Sequence, residues 1–136
     1  MEYLVGAALG LGVGAFATGV GLDRDRAFYP VVLVVIASYY DLFAVMGGSI
    51  PALGIETLGL AAFAAVAVLG FRTSLWWVAA ALAAHGVLDL VHARLVDNPG
   101  VPPWWPAFCL TYDLAAAAWL AQRLLRTRPQ AFRAAT

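Results

Sequence analysis

The chain has 136 residues, of which 63% are hydrophobic and 12% are charged, and its formal net charge is zero. A soluble domain of this size cannot bury so much apolar surface, because small proteins have a large surface relative to their volume. The composition therefore excludes an ordinary soluble domain, and the lack of a basic excess argues against a nucleic-acid partner. The single cysteine, Cys109, excludes a disulfide within the chain.

Five apolar segments are long enough to cross the ~30 Å hydrocarbon core of a bilayer, which takes roughly 20 helical residues. The first is interpreted as a span and not as a signal peptide, because Glu2 stands where a basic region is expected. Backbone groups in lipid must be hydrogen-bonded within their own segment, so the spans are helices. The sequence predicts an all-α integral membrane protein, one domain over residues 1–136, with a bundle of five transmembrane helices at about 3–20, 28–46, 51–69, 75–96 and 103–125.

Arginine is distributed unequally between the two sides of the predicted bundle. One side holds only Arg94, whereas the other holds the remaining seven: Arg24, Arg26, Arg72, Arg123, Arg126, Arg128 and Arg133. Short loops rich in arginine stay in the cytoplasm. We therefore predict a multi-pass protein of the cell inner membrane, with its N-terminus outside and its C-terminus in the cytoplasm.

Six ionisable side chains fall inside the predicted spans, although no arginine or lysine lies deep in any of them. They are Asp41, Glu56, His85, Asp89, His92 and Asp113. An ionised acid near the bilayer centre costs at least a few kcal/mol. Either some of these acids are protonated, or a cation lies among them. At a rise of ~1.5 Å per residue all six fall in the outer half of the membrane, so we predict one polar cavity that faces outward.

The fourth span carries the centre of this predicted site. His85, Asp89 and His92 follow one another at the spacing of a single helix stripe. Asp89 lies within one turn of both histidines, which predicts that it is the hub of the site. We interpret His85, Asp89, His92 and Asp41 as ligands of a divalent metal, Zn or Fe by ligand type. The catalytic groups are then Asp89, Asp113 and Glu56, acting in hydrolysis or oxidation of a lipid-like or small substrate.

Other interpretations of the same residues remain open. The carboxylates also suit a proton- or cation-coupled transporter component without a metal, a non-catalytic subunit of a larger membrane complex, or a polar network that only fixes helix packing. Cys109 is interpreted as a packing residue, because buried thiols behave as small hydrophobes. The stripe of Gly6, Gly10 and Gly14 allows close helix contact, either within the chain or between copies. We predict membrane lipid and either a homo-oligomer or a membrane-complex partner as the binding partners.

One stretch of the sequence carries a resemblance. Residues 39–49, together with His85-Gly86 and the segment 102–106, resemble short, uncharacterised bacterial membrane proteins with several spans. The resemblance covers most of the chain. It implies a multi-span membrane fold and carries no activity with it.

Overall fold

The fold is that of a computed structural model, in which residues 1–127 are described. Arg128 and Arg133, which the orientation prediction counts, lie outside the described residues. Within residues 1–127 there are six α-helices and one 3-10 turn, and no strand, so the all-α prediction is confirmed for this part of the chain. The elements are α1 (Glu2–Val20), the 3-10 turn (Leu22–Arg24), α2 (Phe28–Met46), α3 (Ile50–Arg72), α4 (Trp76–Asp89), α5 (His92–Leu95) and α6 (Trp105–Arg126).

Local sequence signals set where these helices begin and end. The side chain of Ser49 caps α3 by accepting a hydrogen bond from the backbone N–H of Ala52 at 3.3 Å. A proline lies in the first turn of α2, α3 and α6, where its missing N–H would have no partner within the helix. Gly21 ends α1 with a φ of 84°, a left-handed conformation that suits glycine.

Three helices are long and apolar enough to cross a membrane by length and composition, namely α1, α2 and α3. They indicate a membrane-associated protein. Among the described residues, α4 and α6 do not meet the same criterion: α4 is too short, with 14 residues, and α6 is long enough but less apolar than α1, α2 and α3. The five-span count therefore stays a prediction.

The predicted fourth span is not one continuous helix. The helix α4 ends at Asp89 and α5 begins at His92, with a turn at Leu90 and Val91 between them. Val91 has φ −112° and ψ −5°, which departs from regular helix geometry. His85 and Asp89 therefore share one helix face, but His92 does not continue their stripe as the sequence predicts.

The glycine stripe of α1 packs inside the chain, against α6. A Cβ added at Gly6 would lie 2.2 Å from the carbonyl oxygen of Phe108, and one at Gly10 would lie 2.6 Å from that of Tyr112. At Gly14 the indole of Trp119 occupies the corresponding space. This face of α1 is already covered within the chain, so of the two contacts that the sequence left open the stripe makes the one within the chain.

One end of the bundle, the Arg-rich end, is formed by residues 21–27, 70–75 and 119–127. There the guanidinium of Arg26 donates to the carbonyl oxygens of Gly70, Phe71 and Thr73, at 3.0–3.1 Å. Gly70 and Phe71 belong to the last turn of α3 and Thr73 follows it directly, where helix oxygens lack partners within the helix. Asp23 accepts from Arg123 and from the hydroxyl of Thr18, at 3.1 and 2.6 Å. These contacts join the chain segments that share this end.

Candidate metal centre

Four buried side chains from two helices form a group whose chemistry suits a metal ion. They are His85 and Asp89 of α4 and Cys109 and Asp113 of α6, and one ligand atom from each lies within 4.8 Å of all the others. Each helix contributes a pair four residues apart, a spacing that places both side chains on one face. These four side chains could bind a metal, since imidazole, thiolate and carboxylate are all common metal ligands.

A close approach of α4 and α6 brings these two pairs together. Gly86 lies beside His85, and a Cβ added to it would be 3.0 Å from the carbonyl oxygen of Leu110 and 3.1 Å from the Cβ of Asp113. A larger residue at this position would push the two helices apart. The glycine next to His85 thus sets the width of the candidate centre.

Contacts within the group centre on the imidazole of His85. Its Nδ1 is 2.8 Å from Oδ2 of Asp113 and 3.7 Å from Oδ2 of Asp89. The thiol of Cys109 donates to the same oxygen of Asp113 over 3.7 Å. His85 and Asp89 are each 2% exposed and Asp113 is 0% exposed, so these polar groups contact one another and are shielded from solvent.

Two carboxylate oxygens in the group are not satisfied. Oδ2 of Asp89 and Oδ1 of Asp113 are buried and have no hydrogen-bond partner among the described residues. A buried polar atom without a partner costs about 1–3 kcal/mol, and more when it is charged. A proton on either oxygen would add a donor that also needs an acceptor. A cation bound between the two carboxylates would satisfy both.

Tyr40 of α2 connects this group to a second one. Its hydroxyl donates to Oδ1 of Asp89 at 2.5 Å. Its ring stacks on the imidazole of His92, with centroids 3.9 Å apart and planes inclined by 24°. The centroid of His85 lies 6.0 Å from the same ring. Tyr40 therefore stands between the two histidines.

The second group holds the segment after α4 against α2 and α3. Nε2 of His92 lies 2.8 Å from Oε1 of Glu56. The same oxygen accepts from Nδ2 of Asn98 at 2.9 Å, and that amide also donates to the backbone oxygen of Tyr40 at 3.0 Å. This arrangement fastens α5 and the following loop over the end of the bundle opposite the Arg-rich end.

The sequence prediction gathered six residues around one hub, and the arrangement differs from it. Five of the six lie within ion-pair distance of another member, in two groups: His85 with Asp89 and Asp113, and His92 with Glu56. No hydrogen bond or ion pair joins Asp89 to His92 in the described chain, because the helix breaks between them. Asp89 is therefore not the link between the two histidines.

Asp41 belongs to neither group. Its Oδ1 accepts from the hydroxyl of Thr57 at 2.6 Å, which pairs α2 with α3. The structure thus does not bring Asp41 to His85 and Asp89, its predicted co-ligands. The preceding residue, Tyr40, donates its hydroxyl hydrogen bond to Asp89.

Sequence reasoning assigned no role in the site to three of its residues. The sequence predicts Cys109 as a packing residue, although its spacing of one turn before Asp113 also allows it to lie in the site. Tyr40 carried no such signal, since the hydroxyl reaches a residue 49 positions away. Asn98 lies in a loop, where no periodicity indicates what an amide will contact.

No protein-family model, curated protein or solved structure matches the chain. The chemistry of the site itself must therefore carry any functional assignment.

Proposed function

We propose that this chain is an integral membrane protein that binds one divalent transition-metal ion at His85, Asp89, Cys109 and Asp113. The observation that carries the proposal is the pair of buried, unpartnered carboxylate oxygens inside a group that also offers a thiol and an imidazole. Two carboxylates and a metal-bound thiolate carry three negative charges, and one divalent ion offsets two of them. The ion thereby lowers the large penalty for unpaired charge in apolar surroundings.

The donor set favours zinc or iron over magnesium or calcium. Magnesium and calcium prefer oxygen ligands alone, whereas a thiolate and an imidazole suit zinc and iron. A thiol that ligates a metal loses its proton, so binding should release protons and strengthen as the pH rises.

Metal analysis of the full chain, purified in mild detergent, tests this function. The protein would be stripped with a chelator and then offered zinc, ferrous iron, magnesium and calcium in competition under reducing conditions. We expect about one zinc or iron per chain and little magnesium or calcium, because the thiolate and imidazole discriminate against the harder ions. Retention of no metal, or a preference for magnesium or calcium, would contradict the proposal.

We further propose the five-span arrangement in the inner membrane, with the N-terminus outside. In this arrangement α4 with α5 forms the fourth span and α6 forms the fifth. The Arg-rich end faces the cytoplasm, supported by Arg24, Arg26, Arg72, Arg123 and Arg126 within the described chain. The His92–Glu56 pair then lies on the outer side of the metal centre.

Reporter fusions test this topology. A reporter that is active only in the cytoplasm should be active when fused after Thr127, and one active only outside should work when inserted at Asp97. The physical reason is that the proposed orientation moves only Arg94 across the bilayer, whereas the opposite orientation would move five arginines of the described chain. A C-terminus found outside would refute the orientation and the outward direction of the His92–Glu56 pair.

A transport function is the second candidate, and one observation favours it. Tyr40 contacts both polar groups, through its hydroxyl on one side and its ring on the other, so the two groups form adjacent stations along the bundle. A proton or cation that moves between them would use Glu56, Asp89 and Asp113 as carriers. In the enzymatic alternative Asp89 and Asp113 hold the metal, and Glu56 acts as a base on a lipid-like substrate. Metal that stays bound through repeated turnover supports the enzyme, whereas metal that crosses a vesicle membrane supports the transporter.

We retain the proposal of an oligomer or membrane-complex partner, on a surface other than the glycine stripe of α1. Gly54 and Gly59 of α3 are exposed, and a Cβ added at either would meet no described atom within 4 Å, so the surface of α3 leaves room for such a contact.

A further inference from the structure

Two apolar grooves flank the N-terminal half of α2. The larger, the α2–α6 groove, has a volume of about 580 Å³, and the smaller, the α2–α3 groove, about 310 Å³. Ala27, Val31 and Val35 line both of them. These three residues form a ridge on α2 with one groove on each side.

The α2–α6 groove is closed at one end by aromatic side chains. Tyr39 and Trp105 meet there with ring centroids 4.9 Å apart. From Ala27 to Tyr39 the groove follows twelve residues of α2, or ~18 Å at the rise of a helix. One lipid leaflet occupies half of the ~30 Å hydrocarbon core, and the groove is longer than that half. The dimensions suit a single hydrocarbon chain that enters from the Arg-rich end.

The α2–α3 groove begins at the same end. Ala27 and Pro30 of α2 line its start together with Phe71 of α3, and all of its lining residues are apolar. Two parallel apolar grooves that share a ridge and start at one end match the two chains of one diacyl lipid. A single-chain amphiphile would leave one groove uncovered.

The end where both grooves start has the charge that a phosphate group needs. Arg24 lies in the turn just before α2, beside the grooves and outside their lining, and is exposed. Its backbone N–H donates to Gly21, and its guanidinium makes no hydrogen bond to any described residue. The N-terminus of a 19-residue helix adds a partial positive charge at the same place. Among the residues that line the grooves, only Asp25 is charged, and its Oδ1 accepts from the backbone N–H of Ala27. An arginine guanidinium and a helix N-terminus are both good phosphate partners.

We propose that one diacyl phospholipid of the leaflet at the Arg-rich end binds astride α2, with a chain in each groove and its phosphate beside Arg24. Cys109 lines the α2–α6 groove and also belongs to the metal group. The chain in that groove therefore lies against the wall of the metal centre. The lipid site does not depend on bound metal, because its walls and its arginine lie outside the ligand set except for Cys109.

Native mass spectrometry of the full chain, released from mild detergent after washing, tests the site. We expect one phospholipid retained per chain, and at least about tenfold less in Val31→Trp, because an indole on the shared ridge displaces apolar contacts in both grooves. Val45→Trp is the matched control: Val31 and Val45 lie on the same helix and are 57% and 61% exposed, but Val45 lines neither groove. Equal lipid loss in both variants, or none in either, would overturn the proposal.

A second variant separates two chains from one. Val68→Trp fills only the α2–α3 groove, since Val68 lines that groove alone. It should weaken binding of a diacyl phospholipid and leave binding of the corresponding single-chain lysophospholipid unchanged. If both lipids respond alike, the two grooves do not hold one molecule.

Arg24→Gln tests the headgroup, with Arg126→Gln as a control at the same end of the bundle. Only Arg24→Gln should reduce retention of the phospholipid relative to a diacylglycerol with the same chains. Equal reduction in both variants would indicate a general surface charge effect. Metal content, measured on the same samples, should stay at the wild-type level in every variant. That result separates failure of the lipid site from failure of the metal proposal.

Discussion

Asp89→Asn is expected to remove the metal ion while the bundle stays folded. The substitution keeps the shape of the side chain and an oxygen that can accept from Tyr40, but it removes the charge from a buried position. Substitution of a residue that hydrogen-bonds to a metal ligand weakens metal binding about 10–100-fold. Loss of a ligating carboxylate should weaken metal binding by more than that. Metal content per chain and a zinc titration measure the effect.

Asp41→Asn is the matched control for this substitution. Asp41 also accepts one hydroxyl hydrogen bond, from Thr57, and its second oxygen is also buried without a partner among the described residues. It differs from Asp89 in having no histidine or cysteine ligand beside it. We expect wild-type metal content in Asp41→Asn.

Stability distinguishes the metal function from a purely structural role. If Asp89 serves the metal, the neutral asparagine should leave the unfolding temperature of the metal-free protein unchanged or raise it. Without the ion, Oδ2 of Asp89 is buried and accepts no hydrogen bond from the described part of the chain, so the negative charge of this carboxylate is costly. If metal content is unchanged while the unfolding temperature falls, the polar group is a packing network and the metal proposal fails. Equal metal loss in Asp41→Asn would restore the grouping predicted from the sequence.

Gly10→Leu is expected to separate α1 from α6 and to destabilise the monomer. Even a Cβ at this position would lie 2.6 Å from the carbonyl oxygen of Tyr112 and 2.8 Å from the Cβ of Ala115. The first neighbour is backbone, which cannot rotate away as a side chain can. Overpacking of this kind costs about 1–3 kcal/mol and more when the backbone must move. Unfolding in mixed detergent micelles, followed by circular dichroism, measures the loss.

Gly12→Leu controls for the effect of leucine itself on α1. Gly12 lies on the same helix, and a Cβ there would meet no atom of residues 1–127 within 4 Å. It should leave the stability within about 0.5 kcal/mol of wild type, as substitutions away from packed positions do. Destabilisation by both variants, or by Gly12→Leu alone, would contradict this prediction. It would mean that the exposed face of α1 makes a stabilising contact with a partner.

Composition and periodicity were sufficient for the helical fold. Apolar runs bounded by Gly47-Gly48, by Asp23–Arg26 and by prolines locate the helix ends to within a few residues, because each signal acts on the chain beside it. The break after Asp89 has no comparable signal: Leu90 and Val91 are apolar and suit a helix as well as a turn. Beyond the end of α4, His92 contacts α3 and Asn98 contacts α2. These contacts join residues that are distant in sequence, so no local pattern predicts them.

The residues of the candidate site were predicted better than their grouping. Polar side chains inside apolar segments are conspicuous, so His85, Asp89 and Asp113 were all identified from the sequence. Their partners depend on which helices adjoin and how each is rotated, which one sequence does not determine. The placement of His92 with Glu56 and of Asp41 with Thr57 follows from that rotation.

The break after α4 has a consequence for access to the metal group. In the five-span arrangement that we propose, α4 supplies ~21 Å of the fourth span, and the turn and α5 complete the ~30 Å hydrocarbon core. Asp89 is the last residue of α4, so the metal group lies where the regular helix ends. A hydrated ion that entered from the outer side would then meet the turn and the His92–Glu56 pair before a centre that is itself closed to water.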